Sequence, residues 1–317
     1  MEIAKHSLGV GLIATFFLAG GGTALAQQRA GSPSDRSPLG QDEMVASAPA
    51  PSDSGNASSD LAKQLSNPIA NLISVPLQSN LDYGGGPQHR GSQYLLNIQP
   101  VIPFKLNDDW NLVTRTIVPF TDVVHIAPGN PVGLGDTVQS FFFSPTKPVN
   151  GMILGAGPVL LYPTATRDYL SANQFGAGPT IVALTQSNSY TVGILANHIW
   201  GVGNPGTNGL GGQSILGDDG ATIPVPPGRS PRVNATFMQP FASYTFPSQT
   251  TVSVNTETTY DWTGKTWNVP VTAGVSQILK VGDQPLSVGV TGKYYAVRPD
   301  GGPAWGVRLV LTFLFPK

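Results

Sequence analysis

Four charged residues are the candidates for chemistry in this chain: Arg115, Glu257, Lys293 and Arg308. Lys293 and Arg308 stand on either side of a predicted turn at residues 300–301, which would place them roughly opposite each other on one face of a hairpin. Like charges in that position destabilise a sheet, so a carboxylate or a bound anion is expected between them. Glu257 is the natural counter-ion, and Arg115 could join. The cluster is then either a constriction that orients a ligand or a charge network that fills and rigidifies the interior.

Asn197 and His198 suggest a different chemistry, hydrolysis by a serine that His198 would activate. Such a mechanism needs a serine within hydrogen-bond reach, and the sequence marks none. Adjacent residues of an extended segment point to opposite sides, so Asn197 and His198 would not share a face. His198 shares its side with Tyr190 and Trp200, which favours a place in an aromatic belt.

Two further sequence patterns, one typical of dinucleotide binding and one of calcium binding, lack the neighbouring residues or elements that would support a site. Residues 201–206 read GVGNPG, a dinucleotide-binding pattern without the strand and helix that normally flank it. Asp218 and Asp219 lie in the same segment and are typical of a solvated turn. The sequence therefore predicts no catalytic residue, no cofactor and no metal site.

The elements that would position the charged residues are segments in which apolar and polar residues alternate. A period of two means an extended strand with two different faces. The segment 92–106 shows it best: the apolar set is Tyr94, Leu96, Ile98, Ile102 and Phe104, and the polar set is Gln93, Asn97, Gln99 and Lys105. Twelve strands are predicted, at residues 72–83, 92–106, 110–120, 134–143, 152–163, 174–185, 190–200, 233–246, 249–261, 267–279, 285–297 and 304–315.

These strands predict an all-β fold, a transmembrane antiparallel up-and-down β-barrel of about 12 strands. In lipid a sheet must close, because an open edge leaves backbone groups without hydrogen bonds. Charged residues make up 11% of the chain, against about 25% in ordinary soluble domains. Aromatic residues near the predicted strand ends suggest the two interfacial girdles of such a barrel. The apolar set is expected to face lipid, and the polar set, with the four charged candidates, is expected to face the lumen.

The connections support the same topology. If both termini are periplasmic, the odd-numbered connections face outside, and most of them are longer than the even-numbered ones, as outer-membrane barrels require. The longest covers residues 201–232. Two connections fit less well: residues 144–151 are long for a periplasmic turn, and residues 262–266 are short for an outer loop.

Three regions are predicted along the chain. Residues 1–26 read as a signal peptide cleaved after Ala26. Residues 27–60 are rich in small and polar residues and are expected to be disordered in the periplasm. Residues 61–317 form the barrel with a short N-terminal helix, which Ser59 or Asp60 would cap and Pro68 would interrupt. The apolar side of this helix could pack on the barrel rim or enter the lumen.

Several segments resemble one family of proteobacterial outer-membrane proteins. They are residues 67–78 (NPIANLISVPLQ), 133–145 (GLGDTVQSFFFSP), 155–166 (GAGPVLLYPTAT), 238–246 (MQPFASYTF), 255–262 (NTETTYDW) and 301–317 (GGPAWGVRLVLTFLFPK). Members are grouped with the meta-pathway phenol-degradation channels and are often mislabelled neuromedin U. The resemblance implies an outer-membrane barrel for small aromatic or hydrophobic compounds and carries no site residues. Pro316 and Lys317 depart from it, since a terminal aromatic residue is commoner.

The sequence as a whole predicts a channel in the outer membrane of a Gram-negative bacterium. It would pass small molecules, aromatic or hydrophobic ones among them, by diffusion, and would not be an enzyme. The alternatives are a hydrolase on the lipid face that uses His198, and a structural or surface-interaction barrel that works through residues 201–232. The expected partners are outer-membrane lipid, a small-molecule solute and the outer-membrane assembly machinery. Nucleic acid is not expected, since the net charge is −1.

Overall fold

The computed structural model describes residues 54–126, 129–167, 170–187, 189–203, 214–216, 221–223 and 232–316. The predicted signal peptide and residues 27–53 lie outside them. The elements, in chain order, are α1 (Ser54–Leu65), β1 (Ile73–Gly85), β2 (Gly91–Ile98), β3 (Val101–Lys105), β4 (Trp110–Val124), β5 (Val132–Leu134), β6 (Thr137–Pro145), β7 (Ile153–Tyr162), β8 (Phe175–Gln186), β9 (Tyr190–Val202), β10 (Ser214–Leu216), β11 (Ala221–Ile223), β12 (Asn234–Thr245), β13 (Thr250–Thr256), β14 (Thr258–Asp261), β15 (Thr266–Val281), β16 (Gln284–Val297) and β17 (Trp305–Phe315).

The strands close into a barrel, which confirms the predicted fold class. Each spanning strand pairs antiparallel with its neighbours in sequence, and β1 pairs with β17 from Ile73↔Phe315 to Tyr83↔Trp305. Twelve strands span the wall, because β2 with β3, and β13 with β14, each form one interrupted strand. The short β5 pairs with β4 outside this series, and β10 and β11 form a separate hairpin.

The predicted strand positions are largely correct, with two shifts. The third spanning strand continues to Val124 instead of ending near Phe120, and the fourth begins at Thr137. Leu134 belongs to β5 and not to the fourth spanning strand. The reason is the pairing of β5 with residues 120–122 of β4, which extends the wall beyond the predicted end.

Side chains alternate between the two faces of the wall. On β2, Gln93, Leu95 and Asn97 point inward and are buried, while Ile98 is exposed on the outside. Rings near the strand ends touch one another on the outside, as Tyr83 and Trp305 do with centroids 4.8 Å apart. A barrel with an apolar outer band and aromatic residues at its rims has the surface of a membrane-spanning barrel.

The N-terminal helix begins at Ser54, earlier than the predicted cap at Ser59 or Asp60, and it crosses the predicted domain boundary at residue 60. Among the described residues, no helix has the length and apolar character needed to cross a membrane. The helix contacts β12 and β15, and its Lys63 carbonyl accepts a hydrogen bond from Gln186 Nε2 at 2.9 Å.

The segment after the helix enters the lumen rather than resting only on the rim. Ile69 is buried against Phe142 and Leu184, two inward-facing residues of the barrel wall. Its Cδ1 atom lies 3.0 Å from where a Cβ on Gly155 would stand, so the absent side chain of Gly155 makes room for it. We call residues 54–72 the N-terminal plug.

The lumen has two unlike walls, where the sequence predicts a polar lumen. Strands β4, β6–β9 and β12 carry inward apolar side chains, which form two buried clusters. Their members on the barrel wall are Val113, Ile117, Val138, Phe142, Val159, Leu161, Val182, Leu184, Leu195, Ile199 and Phe237. The opposite wall, formed by β13–β17 with β1 and β2, carries mainly polar inward residues, and the charged candidates lie there or at its edge.

Candidate functional site

The strand register brings three of the four charged candidates together on the polar wall. Lys293 of β16 pairs with Gly306, and Arg308 of β17 pairs with Thr291. The sequence predicts that the two cations lie roughly opposite each other. In the structure they are instead diagonal neighbours on one inward face. This offset leaves room for a carboxylate on each cation, and the structure supplies two.

Arg308 pairs with Glu257 through a two-pronged contact. Nη1 donates to Oε1 at 2.6 Å and Nη2 donates to Oε2 at 2.7 Å, so the guanidinium and carboxylate groups meet edge to edge through two parallel hydrogen bonds. Glu257 occupies the break between β13 and β14, and its side chain is 5% exposed, against 6% for Arg308. Arg308 Nε also donates to Asn80 Oδ1 at 2.6 Å.

Lys293 is held by a second carboxylate that the sequence analysis misses. Its Nζ atom lies 3.3 Å from one oxygen of Asp82 and 3.4 Å from the other, and it donates to Asn80 Oδ1 at 3.1 Å. It also lies 5.6 Å from the ring centroid of Tyr295, within range of a cation–π interaction. Asn80 thus links the two ion pairs. The sequence does indicate that Asp82 faces the lumen, because Gln78, Asn80 and Asp82 place a polar residue at every second position of the first predicted strand.

Arg115 lies beside this cluster on the inner face of β4. Its Nη2 atom donates to Gln99 Oε1 at 3.1 Å, and Gln99 Nε2 donates to Gln78 Oε1 at 3.1 Å. Arg115 is also close enough to Glu257 to interact with it electrostatically. Among the described residues, the middle of the lumen therefore has three cations and two carboxylates, one positive charge in excess.

A cavity of about 290 Å³ lies between the N-terminal plug and the polar wall. Arg115 is its one charged lining residue among those described, and most of the other lining side chains are amides, hydroxyls or apolar groups. Ligand pockets in proteins commonly measure about 300–1,000 Å³, so this cavity suits a small molecule.

The connection between β7 and β8 folds into the lumen, where its Leu170 and Ala172 are buried. Asp136 fastens it by accepting hydrogen bonds from Ala165 N at 2.9 Å, Ala172 N at 2.6 Å and Ser171 Oγ at 3.0 Å. Ala172 is buried in one of the apolar clusters of the lumen, so this connection folds inward. Burial raises the pKa of the Asp136 carboxyl above its ordinary value, and these hydrogen bonds oppose the rise.

His198 lies on the outer face of β9, as the sequence predicts, and makes no contact with a serine among the described residues. Its Nδ1 atom lies 2.7 Å from Thr236 Oγ1, and its ring packs against Trp200 with centroids 4.2 Å apart and planes tilted by 47°. Trp262 Nε1 donates to the same Thr236 oxygen at 2.8 Å. The group is an aromatic belt with polar tips, and Asn197 points into the barrel, 5% exposed.

Three sequence candidates lie away from the lumenal cluster. Lys105 was expected inside but lies at the exposed end of β3, paired with Asp108 at 2.7 Å, because the strand ends there. Gly201 and Val202 of the glycine motif close β9, and the motif's remainder from residue 204 lies outside the described residues. Asp218 and Asp219 also lie outside them.

Comparison with solved structures supports the barrel fold. The chain is similar to the COG4313 outer membrane channel from Pseudomonas putida F1, with a TM-score of 0.55, 12% identity, and 77% of this chain and 96% of that chain covered. For the NanC porin the TM-score is 0.45, at 10% identity over 75% of this chain and 98% of that one. For outer membrane phospholipase A from Escherichia coli it is 0.41, at 10% identity over 83% and 98%. No protein-family model and no curated protein matches the sequence. The likeness to the Pseudomonas putida channel, with a TM-score of 0.55 at 12% identity, shows the fold alone.

Proposed function

We propose that the protein is a bacterial outer-membrane channel that passes small molecules, aromatic or hydrophobic ones among them, by diffusion. The observation that carries the proposal is the two-walled lumen: an apolar wall faces a polar, charged wall, and a cavity of about 290 Å³ lies against the polar side. An apolar wall favours the body of such a solute, while the polar wall keeps water and a hydrophilic group in the passage. The resemblance of residues 61–317 to the meta-pathway channel family supports the same function.

The N-terminal plug controls this channel. It lies at the periplasmic mouth, where Leu65 and Ala70 pack with Ile278 and Leu314 on the lumenal face. Ile69 reaches the opposite, apolar wall, so the segment crosses the opening. Conduction then requires the plug to move or to leave a path beside it.

Single-channel recording in planar lipid bilayers tests the proposal. We expect the mature chain to conduct, and a chain lacking residues 27–70 to show larger and more frequent openings, since it has lost α1 and the Ile69 anchor. Ile69→Ser should shift the currents in the same direction. Asp60→Ser is the matched control, because Asp60 is exposed on α1 and should leave the currents unchanged. Absence of current from all of these proteins, once folded, would contradict a channel.

Localisation in the outer membrane, with the signal peptide removed after Ala26, is part of the same proposal. The partners are outer-membrane lipid around the apolar band and the machinery that inserts such barrels. Fractionation of cells by density, with N-terminal sequencing of the mature protein, measures both the location and the cleavage site. A mature chain that begins elsewhere than Gln27 would move the cleavage site without affecting the channel.

A further inference from the structure

The cavity between the N-terminal plug and the polar wall offers no unpaired charge to a solute. Arg115 donates to Gln99 Oε1 at 3.1 Å and interacts electrostatically with the Glu257 carboxylate. No Asp, Glu or Lys is among the described lining residues. A charged solute would therefore lose hydration in this cavity without gaining an ion pair, whereas an uncharged solute does not have that cost.

A chain of hydrogen bonds leads from Arg115 to a neutral donor in the cavity. Gln99 accepts from the guanidinium group through Oε1 and donates through Nε2 to Gln78 Oε1 at 3.1 Å. Consecutive hydrogen bonds polarise one another, so each amide in the chain becomes a better donor. The chain ends at the Gln78 side-chain NH2 group, from which no described residue accepts a hydrogen bond. Because Gln78 lines the cavity, this group is available to an acceptor on a solute.

A buried acceptor lies beside an aromatic ring on the cavity wall. Asn255 of β13 and Phe241 of β12 are strand partners, and both line the cavity. The Asn255 Oδ1 atom is buried and has no hydrogen-bond partner among the described residues. Opposed residues of paired strands have Cβ atoms about 4.5–5.5 Å apart, so a solute bound at Asn255 has its apolar body within reach of Phe241. Phe241 and Val101, which also lines the cavity, pack against the buried apolar cluster that holds Ile69.

We propose that this cavity binds a small uncharged solute that carries an apolar body and one polar group able both to donate and to accept hydrogen bonds, as a carboxamide or an alcohol does. The polar group donates to Asn255 Oδ1 and accepts from the Gln78 amide, while the apolar body lies against Phe241. The inference rests on the proposed channel function, for which it names the solute class. The N-terminal plug forms part of the site, since Asn67 and Leu72 line the same cavity.

Equilibrium dialysis of benzamide, benzoate and benzylamine against the folded, detergent-solubilised protein tests the proposal. The measurement is made at neutral pH, with protein-free detergent micelles as the blank. The probes share one ring and differ in carrying a neutral, a negative or a positive group. We expect benzamide to bind at least about tenfold more tightly than either charged probe. Equal binding of all the probes, tighter binding of a charged one, or no binding of benzamide would overturn the proposal without requiring any variant.

Substitution of Asn255 tests the acceptor. Asn255→Leu should weaken benzamide binding by about tenfold, because it removes the acceptor at nearly constant side-chain volume. Asn197→Leu is the matched control: Asn197 also points into the barrel and has a buried amide atom, Nδ2, without a partner among the described residues, but it does not line the cavity. Asn255→Asp keeps an acceptor and adds a negative charge. It should retain benzamide and bind benzylamine at least about tenfold more tightly than the wild type does.

Substitution of Gln78 tests the donor independently of the Asn255 variants and of their folding. Gln78→Glu keeps an acceptor for Gln99 but replaces the NH2 group with a charged oxygen, so benzamide binding should weaken by about tenfold. Unchanged benzamide binding in the folded Gln78→Glu protein, or in the folded Asn255→Leu protein, would overturn the proposed site.

The readouts separate this inference from the channel function. Equilibrium binding requires no current, so a protein that conducts but binds benzamide no better than the charged probes refutes the neutral-solute site alone. A protein that binds benzamide through Asn255 but never conducts, even without its plug, retains the site and loses the channel.

Discussion

Glu257 is the residue whose removal should have the clearest effect on ion selectivity. Its carboxylate neutralises Arg308, and the described residues of the mid-lumen cluster include three cations and two carboxylates. Charged groups in a narrow pore set its preference between cations and anions. We expect Glu257→Gln to shift the reversal potential in a potassium chloride gradient toward anions, and Lys293→Gln to shift it toward cations.

A double variant, Glu257→Gln with Arg308→Gln, is the control for the effect of net charge on selectivity. Breaking a buried ion pair from one side costs about 3–5 kcal/mol of stability, whereas removing both partners is often close to neutral. Glu257→Gln combined with Arg308→Gln should therefore restore both the stability and the wild-type reversal potential, since the excess charge returns to one. If neither single variant moves the potential of a conducting protein, the cluster only fills and rigidifies the lumen.

Residues on the two faces of one strand should differ in their tolerance of charge. Val254 of β13 is 48% exposed on the outside, and Ser253 lines the cavity on the inside. An arginine on the lipid face near the membrane midplane costs about 2–4 kcal/mol, while a lumenal one mainly tunes selectivity. Val254→Arg should lower the midpoint of urea unfolding much more than Ser253→Arg, measured in lipid vesicles by tryptophan fluorescence. Equal shifts would mean that the assignment of faces is wrong.

For single residues, the sequence identifies which side chains share a face of the barrel wall but not which of them are in contact. Alternation places Glu257, Lys293 and Arg308 inside, because parity is local. The contact between Glu257 and Arg308 depends on closure of the barrel and on the break in the strand at Glu257, which alternation does not encode. The parity of Asp82 also marks it as lumenal, but its cation, Lys293, lies 211 positions further along the chain and becomes a neighbour only through closure of the barrel.

Among the elements, the connection between β7 and β8 should depend on Asp136. The carboxylate holds two backbone amides and the Ser171 hydroxyl. Hydrogen bonds to a charged group contribute about 1.5–3 kcal/mol each, so Asp136→Ala should release the connection. Arg167 lies in it, and we expect trypsin to cut the folded variant there at least about tenfold faster than the wild type.

Asp108→Ala is the control for Asp136→Ala, because Asp108 is an exposed carboxylate in the connection between β3 and β4, 94% exposed in its side chain. Mass spectrometry of the fragments identifies the cut at Arg167 directly. An unchanged rate in Asp136→Ala would show that the apolar packing of Leu170 and Ala172 is sufficient to hold the connection.

The helix shows what local pattern can and cannot predict about an element. The apolar spacing of Leu61, Leu65 and Ile69 predicts a helix with a buried side. The helix is present but ends at Leu65, so Ile69 lies beyond it, in the segment that enters the lumen. The start at Ser54 and the choice of the lumen over the rim do not follow from this spacing. The lumenal position depends on the space that Gly155 leaves and on the apolar wall of β6–β8, which is a property of distant strands.

For the whole molecule, closure and the long–short order of connections follow from the sequence, whereas the two-walled lumen does not. The structure retains the alternation of long and short connections: residues 282–283 join β15 to β16, while residues 203–233 separate β9 from β12. The apolar wall escaped prediction because inward valines, leucines and phenylalanines look like lapses in alternation. They become meaningful only when neighbouring strands bring them together against Ile69 and Ala172.

The orientation of the barrel determines which of its connections a protease can reach on whole cells. With the termini periplasmic, the connection between β9 and β12 faces the outside of the cell, and it contains the trypsin site Arg229. Lys280 lies beside the turn at residues 282–283, which this orientation places on the periplasmic side. Trypsin applied to whole cells should cut after Arg229 and spare Lys280, and Arg229→Gln with Arg232→Gln should abolish that fragment. Rupture of the outer membrane is the control that makes Lys280 accessible. Cutting near Lys280 in intact cells, with Arg229 protected, would reverse the orientation of the barrel and place the N-terminal plug at its outer mouth.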